Sequence, residues 1–327
     1  MKILNCSDIH GDLELLENFR DYSLTRDDLD VIVVSGDLIN HCWSSQEDFD
    51  KFKESREVLR KIREVNKINA PLYGLAKHIL DNEMALDLRA VSTDYLESLK
   101  SGDETMRVQY DQIKEIFDTF NGKVFTIPGN YDGVCLDEIM TEENLHKKPI
   151  EHDGAKFAGY GGADVIPGHM PEDLIVDYVE YNTPEGTVSE PFNFLTGEDP
   201  DVAIIHNPPY GCCDEVGPGK SRIGEDLKEP IHVGSKGTFK YVENENPNLV
   251  LCGHRHGLEI AKLGDTVVVN PGNLGRVGED RFGTFAEVTL DGNNYVEDLS
   301  LYQVVKPGVV GKIGKYVVIE ETFEKVE

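Results

Sequence analysis

The stretch Val31–Asn40, VIVVSGDLIN, is a short apolar run rich in β-branched residues that stops at Gly36 and delivers Asp37 to its end. A run of this kind, too short for a helix and bounded by a turn signal, reads as a strand buried on both faces of a parallel sheet. A carboxylate at the C-terminal end of such a strand lies where open α/β sheets place their ligands, and a glycine before it lets other groups approach closely. Asp37 is therefore the expected centre of a site.

Four other strand-like runs end the same way. Lys2–Ser7 runs into Asp8-Ile9-His10-Gly11-Asp12, and Lys123–Pro128 into Gly129-Asn130-Tyr131-Asp132. Asp201–Ile205 delivers His206, and Asn248–Cys252 ends in Gly253-His254-Arg255-His256-Gly257. After the first loop, Leu13, Leu15, Leu16 and Phe19 recur at near-helical spacing, which gives strand, polar loop, helix. The stretch Trp43–Phe120 is too long for one crossover helix and carries two apolar stripes, Phe52, Leu59 and Ile62, then Ile113, Ile116, Phe117 and Phe120. It reads as a helical insertion at about residues 43–120, broken near Asn69-Ala70-Pro71 and again near Ser101-Gly102. Gly159–Pro191 is less regular, a short helix is expected near Phe239–Glu243, and from Leu258 the pattern turns antiparallel, with hairpin signals at Gly264-Asp265 and Asp291-Gly292. With neither a repeat nor an interdomain linker, residues 1–327 read as a single α/β domain.

Composition narrows the function. Sixty-one acidic against 32 basic residues give a formal charge of −29, which repels polyanions and argues against nonspecific nucleic-acid binding. A phosphate substrate would need cations at the site to offset that field. No apolar run reaches the roughly 18 to 20 residues of a membrane span, and the N-terminus turns polar too early for a secretory signal. The expectation is a cytoplasmic protein without a membrane partner. The six cysteines, Cys6, Cys42, Cys135, Cys212, Cys213 and Cys252, show no repeated spacing and read as reduced thiols.

The strand ends together offer Asp8, His10, Asp37, Asn130, His206, His254 and His256. Oxygen ligands suit hard divalent ions and imidazole the borderline ones, so the mixed set fits Mn²⁺ first, with Fe²⁺, Zn²⁺ or Ni²⁺ as alternatives. Seven ligands suggest two metals sharing one. Asp8 and His10 are two residues apart, as are His254 and His256, so in extended backbone each pair projects to one side.

These motifs resemble the calcineurin-like metallophosphoesterases, whose pattern D-x-H, G-D, G-N-H-D or E, H, G-H-x-H is matched by Asp8-Ile9-His10, Gly36-Asp37, Gly129-Asn130-Tyr131-Asp132, His206 and Gly253-His254-Arg255-His256. The resemblance spans roughly residues 1 to 275, with Asn270-Pro271-Gly272 similar to the family's closing loop. It implies a four-layer α-β-β-α sandwich. It also implies one metal on Asp8, His10, Asp37 and His256, and another on Asp37, Asn130, His206 and His254, with Asn130, Tyr131 and Asp132 as the catalytic loop. Two such ions about 4 Å apart lower the pKa of a bridging water and aim the resulting hydroxide at phosphorus. The chain departs from the family at Tyr131, where a histidine usually assists the leaving group. A phenol of pKa near 10 is a poor proton-transfer group at neutral pH, and the family includes phosphodiesterases lacking this histidine, so a diester is the favoured substrate.

The implied activity is thus a metal-dependent phosphodiesterase acting on a small or nucleotide-like phosphoester. A phosphomonoesterase, a protein phosphatase or a noncatalytic interaction protein keeping the fold are the alternatives, and the charge argues against a DNA-processing nuclease. The oligomeric state is not set by the sequence. His41 and Trp43, close behind Asp37, either line the pocket or pack the insertion. Arg255, Arg276 and Arg281 read as solvated ion pairs on so acidic a surface.

Overall fold

The computed structural model describes the chain except residues 185, 218, 221–225, 228, 277–282, 307, 320–321 and 326–327. From the N-terminus come β1 (Lys2–Cys6), α1 (Leu13–Leu24), β2 (Val31–Val34), α2 (Gln46–Val65), α3 (Leu72–Asp81), α4 (Leu86–Phe117), β3 (Lys123–Thr126) and α5 (Leu136–Ile139). The second half supplies β4 (Lys148–His152), β5 (Ala155–Tyr160), α6 (Glu190–Glu198), β6 (Val202–Ile205), α7 (Lys236–Glu245), β7 (Leu249–Leu251), β8 (Leu258–Leu263) and β9 (Thr266–Pro271). It closes with β10 (Thr284–Leu290), β11 (Val296–Lys306), β12 (Val309–Ile319) and β13 (Thr322–Lys325). Shorter hairpins lie between α5 and α7.

Two mixed sheets result, ordered β13-β12-β11-β10-β1-β2-β3 and β8-β9-β7-β6-β5-β4. The inner strands β1, β2, β3, β6 and β7 are almost wholly buried because their side chains alternate between two covered faces. Ile3, Val31, Val33 and Phe125 of the first sheet meet Val202, Ile204, Leu249, Leu251, Val267 and Val269 of the second in one core. On the other face of the first sheet, Leu4, Ile32, Val34 and Val124 pack on the helices α1 to α5. On the far face of the second, Ala203, Ile205, Val250 and Val268 pack on Leu195 of α6 and Tyr241 and Val242 of α7. The expected four-layer α-β-β-α arrangement follows from that alternation.

The parallel strands are level at their C-terminal ends. Cys6 pairs with Val34 and Val34 with Thr126 in the first sheet, and Leu251 with Ile204 in the second. Loops leaving β1, β2, β3, β6 and β7 therefore emerge along one edge of the sandwich.

The insertion is three helices, α2 to α4, and its first break falls at Pro71 as expected. The second break is not at Ser101-Gly102, since α4 runs unbroken through it; the chain turns instead at Asn82–Ala85, where Glu83 takes φ 48°. Gly102 is a packing site. A Cβ there would lie 3.2 Å from Leu174 Cδ1 and 3.6 Å from Cys42 Sγ, so the glycine lets α4 approach these side chains closely, at a helix cost of roughly 1 kcal/mol. No helix among the described residues is long and apolar enough to cross a membrane. All six cysteines are buried, unpaired thiols.

Candidate metal centre

The loops after β1 and β2 are tied together before any side chain is considered. Asp8 N donates to Gly36 O at 2.9 Å, His10 N to Asp37 O at 3.0 Å and Gly11 N to Leu38 O at 2.8 Å. This stitching holds Asp8 (φ 53°), His10 (φ 50°) and Asp37 (φ 53°) in the left-handed region, and His254 (φ 65°) joins them from the loop after β7. Such backbone costs of order 1 to 3 kcal/mol per residue and persists only where the surroundings dictate it. Here it swings the side chains of sequence-distant loops toward one point.

The seven sequence-predicted ligands converge there. His10 Nε2 lies 3.2 Å from His256 Nε2, and Asp8 Oδ1 lies 3.3 Å from His256 Nε2 and 3.7 Å from His10 Nε2. Asn130 Oδ1 sits 3.1 Å from His206 Nε2 and 3.0 Å from His254 Nδ1. Asp37 Oδ2 stands between these groups, 3.9 Å from His10 Nε2 and 3.5 Å from His206 Nε2. Asp8, His10 and His256 form one set with ligand atoms close enough to share an ion, and Asp8, Asp37 and His206 another.

The donor set fits a divalent cation. Asp8 Oδ1 and Asp37 Oδ2 are buried and have no hydrogen-bond partner, a costly state for carboxylate oxygens unless a charge of opposite sign meets them. Several neighbouring polar atoms are partnered: His206 Nδ1 donates to Ser35 O at 2.8 Å, Asp8 Oδ2 accepts from His254 N at 2.9 Å, and Asn130 Nδ2 donates to Val165 O at 2.9 Å. These partners orient the His206 ring, the Asp8 carboxylate and the Asn130 amide toward the shared point. Asp8, Asp37 and His206 are wholly buried, whereas the His10 and His256 side chains are 14% and 29% exposed. The site opens to solvent on the His10–His256 side.

Charge is balanced within the site. Burial drives the Asp8 carboxyl upward, but the neighbouring His256, His206 and His10 imidazoles hold it below the ordinary range. Asp37 is likewise lowered, burial being outweighed by His206. Burial opposes the His206 imidazolium, yet the Asp37 charge raises it to about 9. His206 must shed that proton to ligate, while the carboxylates are already ionised. Mn²⁺ affinity is therefore expected to rise up to about tenfold per pH unit below pH 9, with proton release, because the metal displaces the His206 proton. Calorimetry in buffers of different ionisation enthalpy measures the release, and an affinity flat from pH 6 to 9 would contradict it.

The structure separates the roles within the Gly129–Asp132 loop. Asn130 reaches the metal set. Asp132 does not: it is buried, accepts from Leu38 N, Ile39 N and Gly129 N at 2.7 to 3.3 Å, and receives the Tyr110 hydroxyl at 3.0 Å. Burial and the neighbouring Asp37 charge raise its carboxyl to about 6. Asp132 therefore splints the Asp37 and Asn130 loops together from behind, and Tyr110 of α4, which no motif marks, joins it. Tyr131 puts its backbone N–H on Asp37 Oδ1 at 2.9 Å and its ring edge-on to His10, 5.0 Å between centroids.

Trp43 packs the insertion and does not line the site. It is 6% exposed, its ring lies against Phe52 at 4.5 Å, and its Nε1 donates to His169 O at 2.7 Å. His41 is exposed, its carbonyl accepting from Gln109 Nε2. Cys212 and Cys213 belong to the core under α6 and α7. Arg255 donates to Glu215 O and Arg276 pairs with Asp12 and Glu14; Arg281 lies outside the described residues. Asn270 braces the His254 loop, donating to Gly253 O at 3.1 Å.

The chain is 26% identical over 277 residues to an uncharacterized protein of Methanocaldococcus jannaschii, MJ1162, a match covering 83% of this chain and 88% of that one. Among solved structures it is similar to TT1561 of Thermus thermophilus, at 17% identity and TM-score 0.45 over 90% of this chain and 96% of that one. It is also similar to an archaeal phosphodiesterase, at 12% identity and TM-score 0.40 over 93% of this chain and all of the other. A family model described as calcineurin-like phosphoesterase matches residues 1–76. A second, described as the calcineurin-like phosphoesterase superfamily domain, matches residues 88–293, more than half of the sequence, and the chain belongs to that superfamily.

Proposed function

We propose that the protein is a phosphodiesterase using two divalent metal ions, Mn²⁺ first among them, that share Asp37. The observation that carries this reading is the position of Asp37 Oδ2, buried without a hydrogen-bond partner between His10 and His206. Asp8, His10 and His256 would hold one ion, and Asn130, His206 and His254 the other. When bound, such ions polarise phosphoryl oxygens and lower the pKa of water, the chemistry that phosphoester hydrolysis requires.

The protein's own residues orient the substrate. The partly exposed edge formed by His10, His256 and Tyr131 is the approach, so the ester stands with Tyr131 beside it. A monoester carries close to two negative charges at neutral pH and a diester one. Tyr131 adds no charge of its own, and the chain at −29 disfavours the more charged substrate. That balance favours a small, singly charged diester and disfavours a nucleic-acid polymer. The acidic surface also fits the cytoplasmic location read from the sequence.

The test is a screen of Mn²⁺-loaded protein against aryl phosphomonoesters, aryl diesters and cyclic nucleotides. Diester hydrolysis should be fastest, and a clear monoester preference would overturn the diester assignment. The Tyr131→Phe variant, which keeps the ring against His10 and the backbone N–H on Asp37, should keep its metal content and hydrolyse an aryl diester within a fewfold of wild type. A loss approaching the roughly 10²-fold typical of a proton-transfer group would instead place the hydroxyl in the reaction.

A further inference from the structure

Tyr131 has a second imidazole against it. Besides its contact with His10, its ring meets that of His169 at 5.4 Å between centroids and 53°. His169 belongs to the stretch following β5, where the sequence shows no periodicity. That stretch is anchored at both ends. Near its start Val165 O accepts from the ligand-set residue Asn130. Farther on, Gly168 O accepts from Arg56 Nη2 at 2.8 Å, Glu172 pairs with Arg60 at 2.9 Å, and Asp173 accepts from the Tyr95 hydroxyl at 2.6 Å. The insertion helices α2 and α4 thus hold the loop that carries His169 beside the mouth of the site.

The ring is set as well as the loop. His169 Nε2 lies 3.1 Å from Asn40 O, three residues beyond Asp37. A carbonyl only accepts, so Nε2 carries the proton of this contact and Nδ1 is the nitrogen that exchanges. The anchoring to Trp43 is made by the His169 carbonyl, a job any residue could do, so the imidazole is held by Tyr131 and Asn40 alone among the contacts described.

We propose that His169 donates the proton to the leaving-group oxygen, supplying from a separate loop the imidazole that position 131 lacks. The assignment rests on the phosphoesterase reading. As the new bond between a water-derived oxygen and phosphorus forms, the bond from phosphorus to the leaving oxygen breaks, and its electron pair stays on that oxygen. The His169 imidazolium gives its proton there, releasing a neutral alcohol, and solvent returns a proton to the ring. Tyr131 lies between His10 and His169 as the wall along which the leaving group is directed.

The experiment is a leaving-group series of methyl phosphodiesters, from nitrophenyl to phenyl to alkyl, on Mn²⁺-loaded wild type and His169→Gln. Glutamine keeps a donor for the Asn40 carbonyl but cannot give up a proton near neutral pH. The variant should lose roughly 10²- to 10⁴-fold on alkyl esters, the usual worth of general acid help, and much less on nitrophenyl esters, whose phenolate leaves without protonation. The plot of log kcat against leaving-group pKa should steepen while metal content is unchanged. Adding Tyr131→His in the His169→Gln background should recover alkyl-ester hydrolysis, since it returns an imidazole to the same wall. An equal loss across the series would make His169 an anchor of the loop and overturn the proposal, as would no loss at all. Wild type inert toward every ester would instead overturn the phosphoesterase reading, and this assignment with it.

Discussion

Asp37→Ala is expected to abolish hydrolysis and to bind fewer metal ions than the wild type, which should hold close to two per chain under saturating Mn²⁺. No other side chain in the site is asked to do as much. Its Oδ2 faces both ligand groups, and its Oδ1 accepts from Tyr131 N, so it also fixes the loop that presents Asn130. Residues that only orient a ligand typically cost 10- to 100-fold when removed, and a shared ligand should exceed that. Asp37→Asn separates the two duties, because the amide oxygen still accepts from Tyr131 N while the charge is gone. It should fold with the loops in place and still fail to bind metal normally. Elemental analysis and kcat/KM on an aryl diester read the two effects, and full activity in Asp37→Ala would remove the shared-ligand assignment.

What made the centre legible was that each ligand stands at the end of a short apolar run, a pattern that needs only neighbouring residues. Asp8, Asp37, Asn130, His206 and His254 all follow strands whose parallel register levels their ends, so reading five strand ends amounted to reading one edge. The four layers were legible only through the resemblance of these motifs to a known family. Features that depend on contacts distant in the chain were not legible. Gly102 looks like a helix stop until Leu174 and Cys42 are seen against it. Trp43 looked as suited to the pocket as to the insertion until its partners, Phe52 and the His169 carbonyl, were fixed. Asp132 lies in the motif beside Asn130, yet its oxygens turn to backbone amides of the Asp37 loop. His169 had no signal, because its loop is held by Arg56, Arg60 and Tyr95 from helices far earlier in the sequence.

Gly36→Ala is expected to damage both stability and the site, for two reasons that can be measured apart. Gly36 has φ +95°, a conformation that costs an L-residue of order 1 to 3 kcal/mol. A Cβ there would also lie 2.6 Å from His206 Nδ1, 2.8 Å from Gly129 N and 2.9 Å from Gly129 Cα. None of these atoms has room to yield: the His206 ring is locked by its bond to Ser35 O, and Gly129 N is held by Asp132. Overpacking of this kind typically costs a further 1 to 3 kcal/mol, so the total is on the order of 2 to 6 kcal/mol against a usual stability of about 5 to 15. The control is Gly154→Ala, since Gly154 has φ +82° but nothing within 4 Å of its added Cβ; it should show the backbone cost alone. Urea unfolding of both metal-free variants gives the difference, which is the crowding against His206 and Gly129. Because relief requires the His206 ring to move, Gly36→Ala should also bind Mn²⁺ more weakly, whereas Gly154→Ala should bind it as wild type does. Equal destabilisation by the two substitutions, with metal binding intact in both, would mean that the His206 loop gives way freely and that the rigidity ascribed to this edge of the site is absent.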